Sequence, residues 1–290
     1  MIAASMLAGR VFSPYEAMVS HLHAWLSASD HWQQLKTATK IAQKQPSDVP
    51  LPEATGHLTA QGVTILHPDS TTPFLKQINL NIPAGNTVAF VGEAGCGKST
   101  LLKVLAGLSQ PSIGQIRLDN ATYEQWYSEK LSTVLSYYAP DSEFIDGTII
   151  ENVSRFSQLA DTSQVHLACQ AVGLHETILK WPKGYETRLG LDVTPSSSEY
   201  HRLMLARALF NQPKVLILDQ RCFLGTSRRK LLKQVLVNRK KMRLTTLFAT
   251  NHSSLLNYSD RIVLLDKGKI QSDAPTHELA QAYKAQRKPA

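Results

Sequence analysis

Hydrophobic and polar positions change their period along this chain, and the change separates strand-like from helix-like segments. After residue 57, short apolar or alternating runs typical of strands are followed by stretches with the spacing of amphipathic helices. Strands and helices in alternation predict an α/β domain with a largely parallel sheet and helices on both faces. The predicted strands are His57–Leu66, Phe74–Ile82, Asn86–Val91, Gln115–Leu118, Thr133–Tyr138, Val215–Asp219, Thr245–Thr250 and Arg261–Asp266.

Helical spacing of apolar residues dominates the middle third of the chain. It continues from Thr148 to about Leu189, and no convincing strand follows before Val215. We therefore expect a helical subdomain at about residues 148–200. Further helices are predicted at Glu199–Phe210, at Arg228–Asn238 and from Pro275 to about Gln286.

The first 56 residues differ in pattern from the rest of the chain. The apolar start, residues 1–9, is interrupted by Arg10, is shorter than the roughly 20 residues of a membrane span, and has no signal-peptide pattern. Residues 1–42 are predicted to be a helical segment, because Trp and Leu recur at helical spacing after Val11. The proline-containing residues 43–56 are predicted to be a linker, so the compact domain should occupy residues 57–290.

Composition restricts the partners and the compartment only weakly. The formal net charge of +8 is compatible with a nucleic-acid partner or an anionic membrane surface. Eight basic side chains lie between Arg228 and Arg243, but such a run is more often a solvated helix face. No base-reading motif accompanies it, so we expect no nucleic-acid partner. Cys96, Cys169 and Cys222 have no metal or disulfide spacing, which favours a reducing compartment.

A glycine-rich segment lies between the apolar strand Val88–Val91 and the helix-prone run Leu101–Ala106. Its spacing is that of a P-loop, which binds a nucleoside triphosphate. The glycines let backbone N–H groups point inward, and with the helix N-terminus these donors form a concave anion site. Lys98 can reach the β- and γ-phosphates, and Ser99 offers a hydroxyl to Mg²⁺. The predicted phosphate-binding segment comprises Gly92, Glu93, Ala94, Gly95, Cys96, Gly97, Lys98, Ser99 and Thr100.

Four apolar residues that run into an acid supply the second half of the predicted nucleotide site. Val215–Leu218 has the composition of a buried central strand, and Asp219 follows directly. A carboxylate at the carboxyl end of such a strand can hold Mg²⁺ directly or through water, opposite Ser99. A turn-forming Asp without a ligand role is the alternative. After a P-loop, the sequence favours a Mg²⁺ site formed by Ser99 and Asp219.

Besides the P-loop and Asp219, several further segments resemble the conserved segments of one protein family. They are Gly62–Pro68 with Leu75–Gly85, Asp146–Val153, Arg202–Leu209 and Asp260–Ile270. From about His57 to the C-terminus, the chain thus resembles the nucleotide-binding domain of an ABC transporter. This resemblance implies a P-loop NTPase core of the ABC type, with a mostly parallel sheet, an antiparallel β subdomain and an α-helical subdomain. Residues 2–10 are similar to the end of the last membrane helix of type I secretion exporters of the protease and RTX class. The segment 1–42 would then be the remnant of a membrane domain.

The segment that corresponds to the family's signature departs from it. Where these proteins carry Leu-Ser-Gly-Gly-Gln, this chain has Pro195, Ser196, Ser197, Ser198 and Glu199. In the family's dimers the signature of one subunit closes over the γ-phosphate bound to the other. Side chains at the two glycine positions should crowd that approach. Two roles stay open for these serines, which are helix N-capping and donation of their hydroxyls to phosphate.

Two catalytic positions also differ from the family. Its Glu after the strand-end Asp polarises the attacking water, whereas this chain has Gln220, whose amide cannot accept the proton. General-base assistance is typically worth roughly 10² to 10⁴ in rate, so hydrolysis should be weak or absent. The switch His corresponds to Asn251, and His252 could take its place only through a one-residue slip.

Three more positions change the expected site. The family's Gln between the metal site and the membrane coupling surface corresponds to Pro140, which has no side-chain polar atom and no backbone donor. The aromatic residue that stacks on adenine corresponds to His67, which can still stack but offers a smaller face. Residues 221–226 replace the loop that connects the two active sites of the dimer. We therefore expect weaker adenine binding and lost coupling.

The resemblance leaves two classes of function. We favour an ATP-binding domain of an ABC exporter, similar to type I protein secretion, that binds Mg-ATP and hydrolyses it weakly or not at all. The alternative is a fully active ATPase subunit that powers export of a protein or peptide across the inner membrane. The expected partners are ATP, a second ABC ATP-binding domain in a homo- or heterodimer, and the coupling helices of a membrane domain. The expected location is the cytoplasm or the cytoplasmic face of the bacterial inner membrane.

Overall fold

The computed structural model describes residues 52–66, 72–126, 128–138, 142–157, 161–219 and 225–279, with residues 10–12, 14–15, 18, 21, 25–29, 31–33 and 35–36 near the N-terminus. By its internal contacts the chain divides into two units, Met1–Asp48 and Val49–Ala290. The described residues of the first unit are helical, and their apolar side chains, among them Trp25 and Trp32, are exposed. No helix in the described ranges is long and apolar enough to cross a membrane.

A four-stranded antiparallel sheet begins the second unit, as the family resemblance implied. Its strand order is β2-β1-β4-β5, so β1 pairs with β2 on one side and with β4 on the other. Buried and exposed side chains alternate along most of β2, which is typical of a sheet with one face on the core. The strands are β1 (Leu58–Leu66), β2 (Pro73–Ile82), β4 (Ile113–Leu118) and β5 (Ala121–Thr122).

A six-stranded sheet forms the centre of the same unit, in the order β10-β9-β3-β8-β7-β6. Neighbours from β9 to β6 are parallel, and only the edge strand β10 is antiparallel. Every side chain of β3, β7 and β8 is buried, because both faces of a parallel sheet are covered. The strands are β3 (Thr87–Val91), β6 (Leu135–Tyr138), β7 (Val215–Leu218), β8 (Thr245–Ala249), β9 (Arg261–Asp266) and β10 (Lys269–Pro275). The predicted, largely parallel sheet is confirmed.

Helices connect these strands and fill the middle of the chain. In the described residues between 148 and 189, strand-type pairing is limited to the isolated bridges at Thr148 and Leu189, which agrees with the predicted helical stretch. Short 3₁₀ turns occur at Tyr123–Gln125 and Gly184–Glu186. The helices are α1 (Lys98–Leu105), α2 (Ser128–Val134), α3 (Ile149–Val153), α4 (Thr162–Ala171), α5 (His175–Leu179), α6 (Ser197–Leu209), α7 (Thr226–Lys241) and α8 (Ser253–Leu256).

At two predicted boundaries the structure has a different type of element, and the sheet explains both. The strand predicted from Thr133 begins only at Leu135, where pairing with Val215 of β7 starts, and the residues before it belong to α2. Pro275 was predicted to open a helix but ends β10, where it pairs with Arg261, and the described part of the predicted helix begins one residue later, at residues 276–279. Because β10 is an edge strand, a residue without an N–H is tolerated there. Residues 280–286 of that predicted helix lie outside the described residues.

Strand β3 divides two apolar cores. Successive side chains of a strand point to opposite faces of a sheet. Val88 and Phe90 accordingly pack among residues of the antiparallel sheet and α1, whereas Ala89 and Val91 pack among residues of α3, α4 and α6. The residue that follows β3, Gly92, therefore starts the glycine-rich loop from a rigid, fully buried strand.

The turn between β9 and β10 supports that loop through Gly268. The N–H of Gly268 donates to the carbonyl oxygen of Cys96 at 3.2 Å, and the carbonyl oxygen of Gly268 accepts from the N–H of Lys76 at 2.8 Å. Its φ is +76°, and a Cβ at this position would lie 1.9 Å from the carbonyl oxygen of Phe74. Only glycine fits where the turn joins the P-loop to the antiparallel sheet.

We expect Gly268→Ala to lower the free energy of unfolding by roughly 2–4 kcal/mol, because a positive φ and backbone overlap are both unfavourable. Gly190→Ala is the matched control, since Gly190 has φ +84° but a Cβ there would meet no atom within 4 Å. Urea unfolding of both variants measures the difference. Equal losses of stability would show that the contact with Phe74 contributes nothing.

Candidate nucleotide site

The glycine-rich loop runs from the carboxyl end of β3 to the N-terminus of α1. Gly92, Gly95 and Gly97 have φ of +154°, +81° and +106°. A Cβ on Gly92 would lie 2.2 Å from the carbonyl oxygen of Leu265, so the close approach to β9 requires glycine. The N–H of Leu101 donates to the carbonyl oxygen of Gly97 at 2.8 Å. The N–H groups of the first turn of α1 have no intrahelical acceptor and can bind an anion.

Lys98 is the first residue of α1, and its side chain folds back over the loop. It is 5 % exposed, and its Nζ donates to the carbonyl oxygens of Gly92 at 2.9 Å and Glu93 at 2.7 Å. The Sγ of Cys96 lies 3.6 Å away as a third acceptor. An ammonium group has three donors, and sulfur is the weakest of these acceptors. A phosphate oxygen that accepts from Lys98 Nζ would therefore replace the hydrogen bond to Cys96, because that bond is the weakest of the three.

Ser99 and Asp219 meet at the carboxyl edge of the central sheet. The Ser99 hydroxyl donates to Oδ1 of Asp219 at 2.7 Å, and the Asp219 side chain is fully buried after β7. The Tyr137 hydroxyl donates to Oδ2 of the same carboxylate at 3.3 Å. Sequence reasoning missed Tyr137. Tyr137 lies opposite Ile217 in the parallel β6–β7 pair, and this pairing across the sheet brings it to Asp219.

This pair of oxygens fits a magnesium ion. Neighbouring ligands of an octahedral Mg²⁺ lie about 3 Å apart, because each metal–oxygen bond is about 2.0–2.1 Å and the bonds meet at right angles. The 2.7 Å separation of Ser99 Oγ and Asp219 Oδ1 is close to this value. No cluster of three or more His, Cys, Asp or Glu that could hold a metal occurs among the described residues. A Mg²⁺ here would take its other ligands from phosphate and water.

Comparison of the sequence with models of protein families assigns the chain to a family. The model described as ABC transporter matches residues 75–222, a range that contains both the glycine-rich loop and Asp219. The chain belongs to the ABC transporter family. Among solved structures it is similar to a bacterial Atm1-family ABC exporter with ATP bound, with a TM-score of 0.71 and 25% identity. That match covers 84% of this chain and 45% of the exporter chain.

Two relatives show which ABC proteins the sequence is similar to. It is 27% identical over 281 residues to the type I secretion system ATP-binding protein PrsD of Rhizobium meliloti (strain 1021), covering 96% of this chain and 48% of PrsD. It is 30% identical over 258 residues to the mycobactin import ATP-binding/permease protein IrtA of Mycobacterium tuberculosis (strain ATCC 25618 / H37Rv), covering 89% of this chain and 30% of IrtA. The chain thus spans less than half the length of these relatives.

The segment predicted to correspond to the family's signature forms the start of α6. Ser196 is the N-cap residue, its Oγ accepts from the N–H of Glu199 at 3.3 Å, and its own N–H donates to Oε2 of Glu199 at 2.8 Å. This reciprocal pair is a capping box. The Oγ of Ser197 accepts from Nη2 of Arg228 at 3.2 Å. Ser196 therefore caps the helix, while Ser197 contacts α7 through an arginine that sequence reasoning did not connect to the signature.

The predicted switch position, Asn251, follows β8, which lies in the sheet between β3 before the glycine-rich loop and β7 before Asp219. Thr250 is buried, and Asn251 after it is partly exposed. The N–H of His252 donates to Oγ1 of Thr250 at 3.0 Å, and its ring Nδ1 lies 3.3 Å from Nη1 of Arg229. Burial, and then the charge of Arg229, lower the pKa of His252. The His252 ring is thus packed against an arginine of α7.

Several predicted site residues lie outside the described residues. These are His67, Pro140, Gln220 and residues 221–224. Their roles in adenine stacking, coupling, water polarisation and the connection between sites stay predictions. The structure brings together the phosphate loop and the two predicted Mg²⁺ ligands.

Proposed function

We propose that this chain is the ATP-binding domain of an ABC exporter related to type I protein secretion, and that it binds Mg-ATP but hydrolyses it slowly or not at all. The contact between Ser99 and Asp219 beside the glycine-rich loop carries the proposal, because it supplies two Mg²⁺ ligands at the phosphate site. The similarity to PrsD supports the connection with type I secretion.

The residues of this chain divide into a binding group and a deficient catalytic group. The N-terminus of α1 and Lys98 bind the phosphates, Ser99 and Asp219 hold the metal, and His67 stacks on the base. Mg²⁺ neutralises charge on the β- and γ-phosphates when it is bound. Gln220 can orient a water molecule but cannot accept its proton, and Asn251 cannot carry a positive charge as a histidine can.

The proposed partners follow from the family. The chain pairs with another ABC ATP-binding domain, identical or different, and with the coupling helices of a membrane domain at the cytoplasmic face of the inner membrane. The longer relatives support this assembly, and the name of IrtA includes a permease part. In such a dimer, Ser197 and Ser198 stand where the signature glycines of the family allow close approach to phosphate.

A second candidate is a fully active ATPase that powers export of a protein or peptide. It is supported by the position of Lys98 over the glycine-rich loop and by the contact between Ser99 and Asp219. One measurement separates the two candidates, because both predict ATP binding and only this one predicts vigorous turnover. A turnover number of about 1–10 per second, typical of enzymes, would establish it.

The proposal is tested by calorimetric titration of the purified chain with ATP in Mg²⁺ and in EDTA, and by phosphate release from the same samples. We expect Ser99→Ala to weaken binding roughly five- to tenfold in Mg²⁺ and to leave binding in EDTA unchanged, because only a metal ligand is lost. Thr133→Ala removes an exposed hydroxyl of α2, outside the phosphate loop, and should leave both affinities unchanged. Equal losses in Mg²⁺ and EDTA would contradict the metal role of Ser99.

A further inference from the structure

A surface groove between α4 and α7 is lined by residues that do not belong to the nucleotide site. We call it the α4–α7 groove, and it consists of two cavities of about 330 Å³ and 140 Å³ that share Ala171. One wall is Gln164, Leu167 and Ala171 of α4, and the other is Gln234 and Asn238 of α7 with Met242 just beyond it. Residues at this spacing share one face of a helix, so the two cavities lie next to each other along α4 and α7 and meet at Ala171.

The two ends of the α4–α7 groove have opposite chemistry. At one end Leu167 is 46% exposed and Met242 is 52% exposed, although both are large and apolar. At the other end the lining includes Arg202 and Lys230 with the amides of Gln170 and Gln234. No acidic side chain is among the described residues that line either cavity. The groove therefore offers an apolar surface that continues into a cationic one.

The positive charge of the chain is concentrated in one stretch of the sequence, which includes the helix that forms one wall of this groove. Residues 220–259 contain nine of the 31 Lys and Arg and none of the 23 Asp and Glu. The other 250 positions therefore have 22 basic and 23 acidic side chains, a net charge of −1. Helix α7 lies within the basic stretch and has no acid in its first turn, where the helix dipole favours acids over cations. Cations at this end are unfavourable for the helix itself. Arg228 and Arg229 contact Ser197 and His252, whereas Lys230 lines the groove.

Most cations of this stretch have partners within the chain. Arg239 is buried against backbone carbonyls, and Lys240 forms an ion pair with Asp260 at 2.5 Å. Lys233 lies over the ring of Tyr258. Lys230, in contrast, is exposed and has no hydrogen-bond or ion-pair partner in the described part of the chain. Its charge is thus available to a ligand in the groove.

Arg202 is held in place at the cationic end by the chain itself. Its Nη1 donates to the carbonyl oxygens of Val172 and Gly173, both at 3.3 Å. These contacts leave the other donors of the guanidinium for an external acceptor. Arg202 from α6 and Lys230 from α7 therefore present two positive charges to one cavity.

We propose that the α4–α7 groove binds an acidic, amphipathic segment of a partner protein. Apolar side chains of the segment cover Leu167 and Met242, and its carboxylates face Arg202 and Lys230. From residue 230 to residue 242 the groove follows about 18 Å of helix, which accommodates about three turns of a bound helix. A nucleic acid fits less well, since half of the groove is apolar without an aromatic stacking surface and most nearby cations are engaged.

The proposal is tested by fluorescence anisotropy with a labelled peptide of roughly 18 residues that carries Leu and Glu on one helical face. A scrambled peptide of the same composition and a single-stranded oligonucleotide are measured in parallel with the full chain. We expect the amphipathic peptide to bind most tightly of the three. Its binding should weaken as salt is raised from about 50 to about 300 mM, because exposed ion pairs are screened.

Variants locate the binding surface. Lys230→Glu should weaken the amphipathic peptide roughly fivefold, and Leu167→Glu roughly tenfold, because the first reverses a facing charge and the second removes an apolar anchor. Lys130→Glu makes the same charge change at an exposed lysine of α2 and should leave the affinity unchanged. Equal binding of the scrambled peptide, tighter binding of the oligonucleotide, or wild-type affinity in both groove variants would each overturn the proposal.

Discussion

A Lys98→Met variant is expected to bind ATP roughly ten- to a hundredfold more weakly than the wild-type chain. A hydrogen bond between charged groups contributes about 1.5–3 kcal/mol, and this one forms only when phosphate is present. Met keeps the length of the side chain and removes the charge. Calorimetric titration with ATP in the presence of Mg²⁺ measures the loss.

The control for this prediction lies on the same helix. Lys103 of α1 is exposed and far enough along the helix to leave the glycine-rich loop untouched, so Lys103→Met should bind ATP like the wild type. Lys98 also donates to the carbonyl oxygens of Gly92 and Glu93. Lys98→Met removes both hydrogen bonds and can therefore destabilise the loop without any effect of the nucleotide. Thermal unfolding without nucleotide separates this structural effect from lost affinity. Wild-type ATP affinity in Lys98→Met would contradict the proposal that the glycine-rich loop binds the phosphates of ATP.

The largest expected gain is in turnover, and it requires four substitutions together. Gln220→Glu with Asn251→His should raise ATP hydrolysis less than tenfold, while adding Ser197→Gly and Ser198→Gly should raise it by roughly 10² to 10⁴ over the wild type. The base can act only when the opposing signature approaches the γ-phosphate. Phosphate release at saturating Mg-ATP measures both variants.

The glycine substitutions leave the start of α6 intact. Ser196 and Glu199 form the capping box and are unchanged, so the helix should lose only about 1–2 kcal/mol through the two glycines. Adding Lys98→Met to the variant with all four substitutions should abolish the gained activity. If the variant with only Gln220→Glu and Asn251→His reaches the activity of the variant with all four substitutions, the serines at the signature do not limit hydrolysis.

The parts of the site that sequence could predict are those carried by neighbouring residues. The P-loop has a fixed spacing between a strand and a helix, and Asp219 directly follows an apolar strand, so both could be predicted before the fold was known. Tyr137 and Arg228 were not found. Their contacts with Asp219 and Ser197 join residues 82 and 31 positions apart, and no local pattern encodes such pairs.

The sequence by itself determined the alternation of strands and helices and the spacing of the glycine-rich loop, and it predicted catalytic and signature positions at Gln220, Asn251, Ser197 and Ser198. These follow from local period and spacing, because strand and helix differ in period and a P-loop needs glycine at fixed positions. Only the tertiary structure decided that Ser99 meets Asp219, that Gly268 supports the loop from another turn, and that Lys230 faces a groove. The order of strands in the sheet and the packing of helices against it fix these contacts, and neither is encoded in any single segment.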